Sequence, residues 1–160
     1  MDAAGEQPDA QEGATMAEET AGSRTYELGR RVRGEVLGKQ HVERALADAS
    51  DFSRPLQELV TEYCWGHIWS RRGLPRRERS LVNLGMLTAL NRSHELGVHV
   101  RGAIRNGCTP EEIQETLLQA AIYCGVPAAM EAFRVAEGAI LAAQQELLDA
   151  EAGDGGEDGA

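Results

Sequence analysis

Aromatic side chains are scarce in this chain of 160 residues, of which only 4% are Phe, Trp or Tyr. A hydrophobic core must therefore be built from Leu, Val, Ile and Ala. No apolar run approaches the roughly 20 residues that a membrane-spanning helix needs. The N-terminal segment is acidic and lacks the basic start of a secretory signal. These absences predict one globular domain in the cytoplasm, with no membrane as a partner.

Cysteine is also scarce, and the three cysteines, Cys64, Cys108 and Cys124, form no CxxC pair and no cluster with histidine. An odd, scattered set of this kind is typical of reduced thiols in a cytoplasm. Cys64 and Cys124 fall in apolar surroundings, so we expect both to be small core residues. The chain also lacks HExxH, GxGxxG and GK[ST] motifs, so the sequence predicts no metal, nucleotide or flavin cofactor.

The net charge of −10 is distributed unevenly along the chain. Residues 1–23 and 146–160 together carry 12 of the 26 acidic residues and no Lys or Arg, which leaves the middle of the chain slightly basic. We expect a disordered acidic tail over 1–23, a folded domain over 24–145, and over 146–160 the end of the last helix followed by a second disordered acidic tail. Acidic tails argue against nucleic acid as a partner.

Between the tails, hydrophobic spacing predicts helices throughout and no strands, which makes the fold all-α. Thr109, Pro110 and Glu112 are typical of a capping box at the start of one helix. The segment 81–90 is apolar nearly all round, so we expect it to lie in the central buried helix. The predicted helices span residues 24–37, 40–49, about 54–71, about 75–90, 94–106, 110–123 and about 127–149.

The helix predicted over 94–106 contains the most promising chemical group. Glu95 and His99 are four residues apart, so the carboxylate can orient the imidazole and favour its charged form. Gly102, one turn further on, leaves space for a small ligand beside the ring. This pattern indicates a histidine acid or base, although a surface ion pair is the commoner outcome of such spacing. His94 falls on a different stripe and is expected at the surface.

The segment TEYCWGHIWSRRG (61–73) is the second candidate, because it holds the two tryptophans of the chain, Trp65 and Trp69. They could form the wall of a pocket, or fill the core or a subunit interface, and packing is the commoner outcome. Several arginines surround the turn at Gly73–Pro75. Most of them should be solvated, with one or two directed into an anion-binding site.

Four motifs give these segments a family resemblance. They are WGxxWxRxGL at 65–74, RRERSL at 76–81, ELxxHVRGAxxNG at 95–107 followed by TPEEIxE at 109–115, and YxGVPAAxxAF at 123–133. With them, residues from about 27 to 140 resemble the carboxymuconolactone decarboxylase family. The resemblance implies an antiparallel helical bundle of the alkylhydroperoxidase D-like type, with six to seven helices, assembled as a homo-oligomer (trimer or hexamer).

The resemblance also implies an activity, the decarboxylation of 4-carboxymuconolactone to 3-oxoadipate enol-lactone and CO₂ without a cofactor. This reaction belongs to protocatechuate catabolism in the β-ketoadipate pathway. Chemical reasoning on the motif residues makes His99 the acid or oxyanion donor and Glu95 the residue that orients it. The lactone dicarboxylate would be bound by residues of two kinds: arginines for its carboxylates, Arg79 and Arg101, and aromatic residues for the pocket wall, Trp65, Trp69 and Tyr123.

Two other functions remain open at this stage. The wider superfamily contains thiol reductases whose site is a CxxC followed, after three intervening residues, by His. When that His is placed on His99, the cysteine positions fall on Arg92 and Glu95, so this thiol chemistry is not implied. A reductase that uses Cys108 or Cys124 is one alternative, and a non-enzymatic helical oligomer of the same fold is the other.

Overall fold

In the computed structural model, the described residues are 10–154 for the backbone and 24–149 for the side chains. Residues 10–154 form helices and short turns with no strand, which confirms the all-α prediction. The elements are α1 (Ala10–Leu37), α2 (Lys39–Ala47), α3 (Arg54–Leu59), a π-helix (Val60–Trp69), α4 (Arg76–Ala89), α5 (Ser93–Arg105), α6 (Pro110–Cys124) and α7 (Val126–Asp154).

Some of the predicted helix limits differ from the structure. Helix α1 begins at Ala10, earlier than the predicted start at residue 24. The helix predicted over about 54–71 is present as two segments, because α3 passes into the π-helix at Val60. Apolar residues three and four apart indicate a helix but do not distinguish an α-helix from a π-helix. The limits of the two acidic tails stay predictions, and residues 1–9 and 155–160 lie outside the described part.

The described residues form two compact units, and the first contains residues 10–35 and Lys39–Arg71. Within it, α1 approaches the π-helix through glycines. A Cβ atom on Gly29 would overlap the carbonyl oxygen of Thr61 and lie 2.8 Å from the backbone nitrogen of Gly66. A Cβ atom on Gly66 would in turn overlap the carbonyl oxygen of Thr25. The two backbones therefore meet where neither helix carries a side chain.

The second unit contains Val36–Gly38 and residues 72–154 of the described chain. In this unit α5 packs against α4 and α7, and α6 packs against the same two helices. The short connections between α4 and α5 and between α6 and α7 make each of these packed pairs antiparallel. Their buried faces form a core of aliphatic and small residues: Leu84, Leu96, Val100, Ala103, Cys108, Ile113, Leu117, Ala132, Ala136 and Ala139.

The prediction that residues 81–90 lie in a helix buried all round is wrong. Helix α4 buries Ser80, Leu84 and Thr88, at intervals of four residues. Apolar side chains on another face of the same helix are exposed to solvent. They are Val82, Met86 and Leu90, with 54%, 51% and 66% of their surfaces accessible.

The predicted capping box at the start of α6 is confirmed. The Thr109 side chain accepts a hydrogen bond from the Glu112 backbone N–H, and the Glu112 carboxylate accepts one from the Thr109 N–H at 2.9 Å. Both bonds satisfy N–H groups that the helix itself leaves without partners.

Replacing this cap should weaken folding measurably. We expect Thr109→Ala to lower the free energy of unfolding by about 0.5–2 kcal/mol, the usual cost of losing a threonine cap. Thr109→Ser keeps the hydroxyl and should stay close to wild type. Urea denaturation measures both values, and equal stabilities of the alanine and serine variants would contradict the capping assignment.

Candidate active site

Helix α5 positions the predicted acid–base pair. Its apolar face, with Leu96, Val100 and Ala103, is buried in the core of the second unit. This packing fixes the rotation of the helix. His99 is half-buried at the edge of the packed face, whereas Glu95 lies in the first turn and is exposed.

The expected ion pair between Glu95 and His99 is not formed in the structure. Among the described side chains, Glu95 makes no hydrogen bond and no ion pair. A spacing of four residues brings the Cβ atoms to within about 5–6 Å. It does not fix the side-chain torsions of an exposed glutamate. The proposed role of Glu95 therefore depends on a conformation that the structure does not contain.

The space expected beside Gly102 is filled by protein. A Cβ atom on Gly102 would lie 3.0 Å from the carbonyl oxygen of Val36 and 3.6 Å from a methyl group of Leu37. The end of α1 therefore packs directly on α5, and Arg105 donates a hydrogen bond of 3.2 Å to the Leu37 carbonyl. Gly102 serves helix packing at this point, so the expectation of a ligand space there is wrong.

A groove between α5 and α7 contains the predicted carboxylate-binding Arg101. The groove has a volume of about 270 Å³, and Gly97 and Gly138 are among its lining residues. His94 also lines this groove. It is exposed, as the sequence predicted, but its position beside a cationic groove was not expected. Among the cavities found in the described residues, this is the one whose charged lining is basic only.

Tyr123 lies elsewhere in the second unit. It is 79% exposed and lines a groove of about 750 Å³ between α4 and α6. Neither His99 nor Glu95 is among the lining residues. Three carboxylates face this groove, from Glu111, Glu112 and Glu115. These carboxylates would repel a dianionic substrate. The groove is therefore a poor substrate site despite its volume.

The other predicted binding residues occupy separate places. Trp65 and Trp69 are buried in the first unit and stack with ring centroids 4.8 Å apart. This is the geometry of packed side chains, and their part in a pocket wall stays a prediction. Arg79 is half-buried on α4 and lines none of the described cavities.

The thiols do not form an obvious redox site. Cys124 is exposed, so its prediction as a core residue is wrong, whereas Cys64 is half-buried. Burial raises the pKa values of the Cys64 and Cys108 thiols, which disfavours the reactive thiolate at both positions. No group of three or more His, Cys, Asp and Glu residues with metal-binding geometry occurs in the described part of the chain.

Sequence reasoning missed one buried charge in the first unit. Arg33 on α1 is 7% exposed and donates hydrogen bonds to Thr61 and Gln57. It sits in the arginine-rich segment RRVRG, where spacing alone gives no sign of which guanidinium is buried.

None of the helices in the described part of the chain could cross a bilayer.

Comparisons with known proteins place this arrangement in a family. Residues 54–138 match the model of the carboxymuconolactone decarboxylase family. The chain is 49% identical over 114 residues to the nitrosuccinic acid decarboxylase npaB of Metarhizium robertsii, which covers 71% of this chain and 80% of that protein. It is 44% identical over 112 residues to the 4-carboxymuconolactone decarboxylase of Acinetobacter baylyi, covering 70% of this chain and 84% of that protein.

Both relatives carry the names of carboxy-lyases, and the family match covers the segment from α3 into α7. The predicted enzyme class is thereby confirmed. The chain belongs to the carboxymuconolactone decarboxylase family.

Proposed function

We propose that this protein decarboxylates 4-carboxymuconolactone to 3-oxoadipate enol-lactone and CO₂ in the cytoplasm, as a step of protocatechuate catabolism. The observation that carries the proposal is the 44% identity to a 4-carboxymuconolactone decarboxylase, which extends over 84% of that enzyme. The aligned family segment includes Glu95, His99 and Arg101.

The reaction needs no external electron acceptor. The ring carbon that is bonded to the ring oxygen carries both the departing carboxylate and an acetate arm. When its bond to the carboxylate breaks, the electron pair spreads through the ring double bond to the lactone carbonyl, giving a 2-oxyfuran-like dienolate. Protonation at the carbon next to the carbonyl then gives the enol-lactone. The enzyme must hold the retained carboxylate, stabilise the oxyanion and deliver one proton.

The described residues supply groups for these tasks. The imidazolium of His99 can stabilise the oxyanion and donate the proton, after which solvent restores it. Glu95 can favour that charged form once its side chain turns toward the ring. Arg101 offers a planar fork to a carboxylate, in a groove without acidic lining residues. We propose Arg79 as the second arginine that binds a carboxylate.

Nitrosuccinic acid is the second candidate substrate, because a relative named for its decarboxylation is 49% identical to this chain. Loss of CO₂ from the carbon that bears the nitro group leaves a carbanion stabilised as a nitronate. This is the same chemical problem as the lactone reaction. In both cases an anion must be stabilised beside a second, retained carboxylate.

A direct assay distinguishes the two candidates. The purified protein is added in separate reactions to freshly generated 4-carboxymuconolactone and to nitrosuccinic acid, and CO₂ release is measured with product formation. We expect the larger kcat/KM for the lactone. A larger value for nitrosuccinic acid would replace the proposed substrate, and no decarboxylation of either would favour the non-enzymatic alternative.

We further propose that the protein assembles into a homo-oligomer, a trimer or hexamer as the family resemblance implies, through an apolar face of the second unit. Apolar side chains are exposed on three helices of that unit, α4, α6 and α7. They are Val82, Met86 and Leu90 on α4, Leu118, Ile122 and Tyr123 on α6, and Val126 and Met130 on α7. Exposed apolar patches of this kind are typical of protein interfaces.

Charge placed on this face should break the assembly. We expect the double variant Val82→Glu/Ile122→Glu to sediment as a monomer while the wild type sediments as a trimer or hexamer. Leu148→Glu, which alters a 60% exposed leucine near the end of α7, serves as the matched control. A wild-type monomer, or a double variant with unchanged sedimentation, would contradict the proposed interface.

A further inference from the structure

Helix α5 carries His99 and Arg101 on nearly opposite sides. Two residues along an α-helix correspond to a rotation of about 200°, so the two side chains leave the helix axis about 160° apart. Arg101 lines the groove between α5 and α7, and His99 is not among the residues that line it. The two groups that the proposed reaction needs therefore face different surroundings within one chain.

The hydrophobic core closes the inner path between these two side chains. Leu96, Val100 and Ala103 lie between them on the inner face of α5, and each is at most 2% exposed. They belong to the core that α5 forms with α4 and α7. A packed interior of this kind leaves no room for a substrate.

The outer path around α5 is closed at the same level. Gly102 lies on the outer side between His99 and Arg101, and a Cβ atom on it would lie 3.0 Å from the carbonyl oxygen of Val36. The segment Val36–Gly38 of the same unit therefore covers the helix there. A helix with its side chains is about 10–12 Å across, which exceeds the reach of a five-membered lactone with two short arms. One lactone molecule cannot contact both groups of the same chain.

Arg101 is nevertheless equipped to bind an anion. Among the described residues it makes no hydrogen bond and no ion pair. The groove that it lines also contains His94 and has no acidic lining residue. A guanidinium without a protein partner, beside a second basic group, is suited to a carboxylate.

We propose that each active site is shared between two copies of the chain: Arg101 of one copy binds the retained carboxylate of the lactone that His99 of a neighbouring copy protonates. This inference rests on the proposed function and on the proposed homo-oligomer. In a closed ring every copy gives Arg101 to one site and His99 to another, so the number of complete sites equals the number of copies. An isolated chain would contain no complete site.

Mixed oligomers test this arrangement. His99→Ala and Arg101→Met are produced together with two different affinity tags, and only oligomers that carry both tags are kept. Some of their sites receive His99 from an Arg101→Met copy and Arg101 from a His99→Ala copy, and these sites are complete. At lactone concentrations far below KM, we expect the mixed oligomers to have about a quarter to a third of the wild-type kcat/KM.

The separate variants and a matched mixture provide the controls. Alone, Arg101→Met should lower kcat/KM by about 10- to 100-fold through KM, because a hydrogen-bonded charge pair is lost equally in the ground and transition states. Arg92→Met removes an exposed arginine next to the same helix and should keep the wild-type kcat/KM. A mixture of His99→Ala with the double variant His99→Ala/Arg101→Met contains no complete site and should stay at the level of His99→Ala.

The outcomes separate this inference from the proposed function. Mixed oligomers with no more than the average kcat/KM of the two parents would overturn the inference, because each copy would then use its own two groups. A wild-type KM in Arg101→Met would also overturn it. Both results leave lactone decarboxylation by the wild type standing, whereas a wild type that does not convert the lactone overturns both proposals. If Arg101→Met and the second variant Arg101→Gln both fail to assemble, Arg101 is structural and the inference is wrong.

Discussion

Replacing His99 with alanine should lower kcat by about 10²- to 10⁴-fold, the usual contribution of a positioned acid–base group. The reason is that the dienolate would lose both its proton donor and a cation beside its oxygen. His99 is half-buried, so folding must be checked with the assay. The measurement is kcat for the lactone together with the circular dichroism spectrum and the sedimentation of the variant. A folded, assembled His99→Ala enzyme within about threefold of wild-type kcat would contradict the assignment.

Glu95 provides the partner experiment. We expect Glu95→Gln to lower kcat less than His99→Ala, because the amide can still orient the ring but no longer favours its charged form. The double variant should be little worse than His99→Ala alone, since Glu95 acts only through the imidazole. In the structure Glu95 makes no hydrogen bond or ion pair with His99. Additive losses would therefore mean that the two residues act separately, and that Glu95 is not the orienting group.

Gly29→Ala should be the most destabilising single-methyl change in the first unit. The new Cβ would overlap the Thr61 carbonyl oxygen and approach the Gly66 backbone nitrogen to 2.8 Å. Backbone atoms cannot move aside as a flexible side chain can, so α1 would be displaced from the π-helix. We expect the free energy of unfolding to fall by about 1–3 kcal/mol or more. Thermal and urea denaturation both measure this loss.

Gly34→Ala is the matched control in the same helix. There the new Cβ would meet only Lys39, with its side chain at 3.5 Å and its Cα at 3.8 Å, which is ordinary contact. Alanine has the higher helix propensity by about 0.8–1.0 kcal/mol. The control should therefore be neutral or slightly stabilising. Equal losses at Gly29 and Gly34 would contradict a special close approach at Gly29.

Local sequence patterns predicted those parts of the fold that depend on local chemistry. The Thr109 capping box is specified by four consecutive residues, and the buried stripe Leu96, Val100 and Ala103 follows from helical spacing. The family was recognisable from the motifs around Trp65, His99 and Tyr123. In each of these cases the determining contacts lie within one or two turns of helix.

The remaining features depend on contacts between distant segments. Gly102 lies about one helical turn after His99. The space beside it is occupied by Val36, which is distant in sequence. The burial of Arg33 depends on Thr61 and Gln57 in another helix. An apolar run such as 81–90 has the same sequence pattern whether a core or another subunit covers it. The pattern therefore could not separate the buried Leu84 from the exposed Met86.

Decarboxylation in D₂O tests the proposed reaction, because it follows both CO₂ and the proton that the protein is proposed to deliver. 4-Carboxymuconolactone with ¹³C in the departing carboxylate is converted, and the early product is examined by NMR. We expect one equivalent of ¹³CO₂ and a single deuterium on one face of the carbon next to the lactone carbonyl. Retention of the ¹³C label in the product, or deuterium distributed equally over both faces, would contradict it.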